Sequence, residues 1–175
     1  SMWRDHNVFN MHRIPAITTG MPRWRRTDQA EGQAQAFGKA VAERQIGRLG
    51  VVGSNATTGP VIEQSYRRLL ALLSARLEQS RFVLGARPGA CDFALYGQLT
   101  QLAAFDPTPS DVALGLAPRV VAWVEVAEDL SALEPGDADW IDRERIPDTL
   151  RALLGDIGRQ RRQLVRLQIL EALGT

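Results

Sequence analysis

A single cysteine, Cys91, is the first candidate for nucleophilic chemistry. It stands next to Asp92 at the start of a segment with helical periodicity. A thiol in the first turn of a helix has its thiolate stabilised by the helix dipole, which can lower the thiol pKa. The surrounding segment is largely apolar, and there a small buried side chain would simply fill the core. The pattern favours the structural role. One cysteine also excludes an intramolecular disulfide and a cysteine-based zinc site.

The remaining reactive residue types form no recognisable catalytic or metal-binding pattern. His6 and His12 lack further ligands at metal-binding spacing. The tetrad Arg23-Trp24-Arg25-Arg26 mixes an aromatic ring with cations, as single-strand binders do, but a net charge of +1 does not favour nucleic acid. We interpret the tetrad as a surface or docking segment. The basic residues near the end are interpreted in the same way: Arg159, Arg161, Arg162 and Arg166.

Length and composition indicate one ordinary globular domain. The chain has 175 residues, of which 45% are hydrophobic and 23% charged. No apolar run approaches the roughly 20 residues that cross a bilayer, and no signal peptide is visible at the start. We therefore expect no membrane partner and a cytoplasmic location.

Helical periodicity divides the chain into three parts. Residues 1–27 are irregular, because Pro15, Gly20 and Pro22 interrupt them. A helical domain is predicted over residues 28–158, and a basic helical tail over residues 159–175. The first predicted helix runs from Asp28 to Leu49, with one apolar face: Ala30, Ala34, Phe37 and Val41.

The later helices predict a bundle around one central member. A clean amphipathic helix follows Pro60, carried by these residues at steps of three and four: Ile62, Tyr66, Leu69, Leu70, Leu73 and Leu77. The segment from Asp92 to Phe105 is apolar nearly all round, which is typical of a buried helix, and Asp106-Pro107-Thr108-Pro109 is expected to end it. Pro118 can open another helix, and the last begins near Pro147. Their inward residues are Val120, Trp123, Val124 and Ala127, and then Leu150, Leu153, Leu154 and Ile157. The fold class is all-α, a bundle around a central buried helix.

The stretch from Phe82 to Leu99 resembles the C-terminal, all-helical domain of glutathione transferases. In that family a phrase similar to "F-L-x-G-x-x-P-S-x-A-D" leads into the central helix, where a Ser or Thr caps the helix and an Asp closes the capping box. Here Asp92 matches the Asp, and Gly89 stands at the capping position. A glycine is an acceptable cap, although it supplies no side-chain acceptor. The resemblance spans about Gln45 to Gly158.

This resemblance implies a partner domain that is not recognisable in the chain. Family members hold and activate glutathione on an N-terminal thioredoxin-like domain, so glutathione is implied for the full-length family and no cofactor for this chain alone. The helix from Asp28 to Leu49 would line the cleft for an apolar co-substrate and contribute to a homodimer. The candidate ligand-binding residues are Arg44, Gln45, Arg48 and Tyr96, with a plain surface salt bridge as the alternative for either arginine.

Three functions therefore stay open. The chain could be the helical half of a glutathione transferase, inactive alone, that binds an apolar small molecule and docks a thioredoxin-like domain. It could instead be a stand-alone scaffold that mediates protein–protein contacts. A third reading is an all-α regulator whose ends contact nucleic acid, with salt-sensitive affinity. The sequence predicts no catalytic residue and no metal ligand.

Overall fold

A computed structural model describes residues 31–172, with side chains described for residues 32–159 and Arg162. The histidines at positions 6 and 12, the tetrad at 23–26, the predicted cap at 28 and the tail arginines at 161 and 166 lie outside these described residues and side chains.

The described chain is helical. Its α-helices are α1 (Glu31–Gly47), α2 (Thr58–Gln79), α3 (Ala90–Leu99), α4 (Pro107–Leu116), α5 (Pro118–Ala127) and α6 (Asp148–Ala172). A π-helical segment, Thr100–Phe105, continues α3, and a short 3-10 turn, Asp137–Asp139, lies between α5 and α6. No strand occurs between residues 31 and 172, only isolated bridges that pair Gly85 with Phe82 and with Trp140. The all-α prediction is confirmed. Helix α6 also runs without a break across the expected boundary at residues 158 and 159.

Helix α2 begins where a short polar loop caps it. The side-chain oxygen of Asn55 accepts hydrogen bonds from the backbone N–H groups of Thr57 (2.9 Å) and Thr58 (2.8 Å). The Thr58 hydroxyl in turn accepts from the Asn55 N–H at 2.9 Å. Free N–H groups at a helix start are satisfied in this reciprocal way. Pro60 lies in the first turn, as its missing N–H predicts.

Helix α4 corrects the prediction that residues 106–109 only end a helix. Asp106 is the N-cap of α4, and its carboxylate accepts from the Thr108 N–H at 3.3 Å, while Pro107 occupies the first helical position. The preceding segment closes with a wide turn in which the Asp106 N–H donates to the Gln101 carbonyl at 2.8 Å. One helix therefore ends and the next starts at the same aspartate.

The core lies where α2 packs on α4, α5 and α6, and where the π-helical segment packs on α4 and α5. The buried apolar residues of these elements form one cluster: Leu70, Leu73, Leu77, Leu99, Ala103, Ala113, Val120, Trp123, Val124, Leu150 and Leu153. The inward faces predicted for α2 and α5 supply most of it. Burial of each leucine or valine among them contributes about 1.5–3 kcal/mol.

The helix from Asp92 to Phe105 is buried on one side only. Leu99 and Ala103 are in the core, whereas Phe93 is 56% exposed and Ala94, Gly97 and Ala104 are exposed too. We call these four exposed residues the α3 stripe. The expectation of burial all round is wrong for this face, because the bundle packs against the opposite side of the helix.

Two further apolar faces differ from their predictions. In α1 the buried residues are Ala34, Gly38 and Ala42, four positions apart, and Phe37 is 49% exposed. The small residues lie on a face slightly rotated from the predicted one, and their size allows close packing. Of the predicted α6 residues, Leu150 and Leu153 face the core, whereas Leu154 and Ile157 are about half exposed.

Candidate functional site

The start of α3 is built around one buried carboxylate, Asp92. Its Oδ1 accepts a hydrogen bond from the Val83 N–H at 2.9 Å, and its Oδ2 accepts from the Gly89 N–H at 2.9 Å. Gly89 is the N-cap, and its carbonyl accepts from the Asp92 N–H at 3.0 Å. Because glycine has no side chain, Asp92 supplies all of the side-chain bonding in this cap. The carboxylate also lies near the positive end of the helix dipole.

A fully buried arginine from α2 completes this cluster. The Nε of Arg76 donates to the Val83 carbonyl at 2.9 Å, so Val83 is held on one side by Arg76 and on the other by Asp92. Burial lowers the pKa of Arg76, and the negative charge of Asp92 acts in the opposite direction. A buried charge is retained only where it is paired or hydrogen-bonded. The cluster therefore ties α2 to the loop before α3.

Cys91 lies beside this cluster with its thiol turned towards Asp92. The Sγ atom is 3.6 Å from the Asp92 Oδ2 and donates to it. Burial raises the pKa of the Cys91 thiol, and the neighbouring carboxylate raises it further. Both effects outweigh the helix-terminus effect considered from the sequence, because a thiolate here would be desolvated next to another negative charge. The site favours a protonated thiol in a structural role.

The predicted ligand-binding residues occupy two separate places. Arg44 and Gln45 lie in the last turn of α1 and Arg48 in the turn that follows; all three are exposed. Tyr96 is half-buried on α3, and its hydroxyl donates to the carboxylate of Glu128. Within the described residues, no hydrogen bond or ion pair joins Tyr96 to Arg44, Gln45 or Arg48. A shared role in ligand binding stays a prediction.

Sequence reasoning missed two exposed apolar features around these residues. One is the α3 stripe, whose signal was the high apolar content of the segment; Gln98 and Gln101 are exposed beside it. The other is the loop after α1, where Val51 and Val52 are among the most exposed apolar side chains described. Contiguous apolar surface on a folded domain marks an interaction site.

The described residues supply no metal cluster and no membrane span. No group of three or more His, Cys, Asp or Glu side chains between residues 31 and 159 is arranged to hold a metal ion. Among the helices that the structure describes, none is both long and apolar enough to cross a bilayer.

Comparison with known families identifies the chain. The family model of the glutathione S-transferase C-terminal domain matches residues 28–126, which is more than half of the chain. The chain belongs to this family. The matched region contains the Asp92 cluster and the α3 stripe, and it ends one residue before the end of α5. No curated protein and no solved structure gave a significant match.

Proposed function

We propose that the chain is the helical half of a glutathione-transferase-type protein. In this role it contributes the wall of an apolar co-substrate cleft and a homodimer interface, and it is not catalytic alone. The observation that carries the proposal is the α3 stripe. Phe93 and its neighbours are exposed within the region that the family model matches.

A partner that packs on the α3 stripe would remove its apolar surface from water. Gln98 and Gln101 are exposed beside it, but its apolar area gains free energy when it is removed from water, at about 25 cal/mol per Å². A thioredoxin-like domain, supplied by the same protein or by another chain, is the partner that the family provides. The ligand would then bind at the end of α1, because Arg44 and Arg48 lie one turn apart there and both are exposed. Arginines bind carboxylates well, and glutathione carries two.

A stand-alone binding module is the second candidate. Its support is the exposed apolar surface, with Phe93 on α3 and Val51 and Val52 in the loop after α1, which a protein partner would bury. In that case the α3 stripe would receive another protein, and no glutathione conjugate would bind.

Calorimetric titration distinguishes these candidates. The purified chain is titrated with glutathione and then with S-hexylglutathione, while light scattering gives its mass in solution. We expect a dimer that binds the hexyl conjugate more tightly than glutathione, since the alkyl chain adds apolar contact. Replacing Arg48 with Ala should weaken binding. Replacing the exposed Arg119 of α5 should not.

Either of two results would decide against the transferase role. A folded dimer that gives no heat with both ligands would leave only the binding module. Equal loss of affinity in the Arg48 and Arg119 variants would show a non-specific charge effect instead of a ligand site.

A further inference from the structure

A small cleft opens where α2, the π-helical segment and the first turns of α4 meet. It has a volume of about 100 Å³. Its apolar lining comes from Ile62, Leu102, Pro109 and Val112, and Tyr66 is also part of the wall. An apolar cavity of about 150 Å³ is enough to hold benzene. An open cleft of this size therefore suits a single ring or a short alkyl chain, and it is too small for a drug-sized molecule.

Hydrogen-bond acceptors outnumber donors on one side of this cleft. The Tyr66 hydroxyl lies between two backbone carbonyl oxygens, 3.4 Å from that of Leu102 and 3.2 Å from that of Pro109. A phenol has one proton, so it donates to one of these carbonyls at a time. Among the described residues the Thr108 hydroxyl, in the same wall, is buried without a hydrogen-bond partner. A ligand that brings N–H donors would supply what this wall lacks.

The charges at this cleft are negative. Glu63 is the charged residue of the lining, and Asp106 is buried directly before α4. Burial raises the pKa of Tyr66 to about 12, and the negative charge of Asp106 adds to the shift, so this charge is felt at the wall. Two carboxylates attract a cation and repel an anion. An ammonium group carries three N–H donors and a positive charge, so it meets both requirements.

Glu63 has a cationic partner that a ligand can displace. The Arg67 Nη2 lies 3.0 Å from a carboxylate oxygen of Glu63, one turn along α2. Both side chains are about half exposed, and exposed ion pairs of this kind are weak. Arg67 itself does not line the cleft. An ammonium group in the cleft would therefore compete with Arg67 for Glu63 at small cost.

We propose that this cleft binds a small organic cation, a primary ammonium attached to one ring or to a short alkyl chain. The apolar body of the ligand lies against Ile62 and Val112, and its ammonium group pairs with Glu63. None of the lining residues belongs to α1 or to the α3 stripe. The site therefore does not depend on the proposed transferase role, and glutathione titration does not test it.

The test compares benzylamine with benzyl alcohol, which has nearly the same shape and carries no charge. Binding to the purified chain is measured by saturation-transfer NMR of the ring protons and by calorimetric titration. We expect benzylamine to bind about fivefold more tightly than the alcohol. This ratio is the upper end of what a partly exposed ion pair contributes.

Charge variants identify the partner of the ammonium group. Glu63→Gln should remove the fivefold preference and leave benzyl alcohol unchanged. Glu78→Gln is the matched control, because Glu78 lies on the same helix, is similarly exposed and also pairs with an arginine. Arg67→Met should tighten benzylamine about twofold, because it removes the competing cation. A gain of affinity cannot result from a loss of folding.

A filling variant locates the two probes. Val112 is half-buried in the wall, so Val112→Phe should fill the cleft and abolish binding of both probes. Leu114→Phe, two positions further along α4 at an exposed residue, should change neither. Far-ultraviolet circular dichroism checks the helix content of every variant. Because Glu63 and Arg67 are exposed, their variants test the proposal even if Val112→Phe lowers the stability of the fold.

Two results would overturn the proposal. Equal affinity of benzylamine and benzyl alcohol for the unmodified chain would show that the carboxylates do not contribute to binding. Unchanged binding of both probes in a folded Val112→Phe chain would place them elsewhere on the surface.

Discussion

Replacing Asp92 with Ala tests whether one carboxylate holds the start of α3. Asp92 is fully buried and accepts hydrogen bonds from Val83 and Gly89, both at 2.9 Å. A hydrogen bond to a charged group contributes about 1.5–3 kcal/mol. The substitution would also leave the Val83 N–H buried without a partner and remove the favourable negative charge near Arg76. We therefore expect a loss of about 3–6 kcal/mol in the free energy of unfolding, the sum for the two hydrogen bonds to the charged group.

Urea unfolding followed by circular dichroism measures this loss. Asp111→Ala is the matched control, since Asp111 is exposed on α4, and we expect a change within about 0.5 kcal/mol for it. Asp92→Asn keeps the shape and one acceptor oxygen, so it should fall between the control and Asp92→Ala. A loss below about 1 kcal/mol for Asp92→Ala would refute the reasoning. Such a result would mean that the hydrogen bonds of the Asp92 carboxylate in the folded chain contribute little more than those it makes to water in the unfolded chain.

A double variant separates the cap from the buried charge. If Arg76 depends on Asp92, then Arg76→Met should cost less free energy in the Asp92→Ala background than in the unmodified chain. Long apolar side chains can replace buried ion pairs at little cost. Strictly additive losses would show that the two residues do not interact.

Three further predictions concern other buried groups. Burial, together with the charge of Asp106, raises the pKa of Tyr66 to about 12. The stability that Tyr66 contributes is therefore full below about pH 10 and is lost as the pH rises towards 12. Urea midpoints should fall less over this pH range in Tyr66→Phe than in the unmodified chain. Arg68 pairs with the buried Asp156 at 3.3 Å, whereas the pair that Arg67 makes with Glu63 is exposed. Arg68→Met should therefore lower the free energy of unfolding by several times the roughly 0.5 kcal/mol expected for Arg67→Met. Equal urea midpoints of the two variants would contradict this. Because the pKa of Cys91 is raised, an aromatic disulfide reagent should label it at neutral pH at least tenfold more slowly in the folded chain than in urea; equal rates would show a reactive thiol.

Helices with one clear apolar face were predictable from sequence. The steps of three and four in α2 identify Leu70, Leu73 and Leu77, and all three are buried. Proline at the first position identifies the start of α5, and Val120 and Trp123 face inward as predicted. In these helices hydrophobic periodicity alone determines which side meets the core.

The signal for α4 was present and was interpreted incompletely. An aspartate followed by proline is typical of a helix start as well as of a break. Asp106 and Pro107 serve both purposes, since the π-helical turn ends there and α4 begins. The type of a turn and the direction of the chain after it depend on backbone hydrogen bonds that side-chain patterns do not reveal.

Half-exposed apolar residues could not be placed from periodicity. Phe37, Leu154 and Ile157 all fit the inward pattern of their helices, and all are about half exposed. An apolar stripe shows that a helix has a preferred side, but its width allows rotations of tens of degrees. The neighbours that set this rotation come from distant parts of the chain. The position of Trp140 is harder still to predict, because this residue lies on a loop without any period.

Two glycines near α3 show why composition alone does not reveal how the loop before this helix packs. Gly85 is required, because its positive φ and the nearby carbonyl of Asp139 exclude any side chain. Gly89 has extended backbone angles that any residue can adopt, and a Cβ there would only reach ordinary contact with Trp140. Gly89 stands where the family has a capping Ser or Thr, so the start of α3 lacks that side-chain acceptor. The carboxylate of Asp92 supplies the side-chain hydrogen bonds there instead. Gly85, which matches the glycine of the family phrase, allows the loop of Trp140 to pair with the backbone of Leu84.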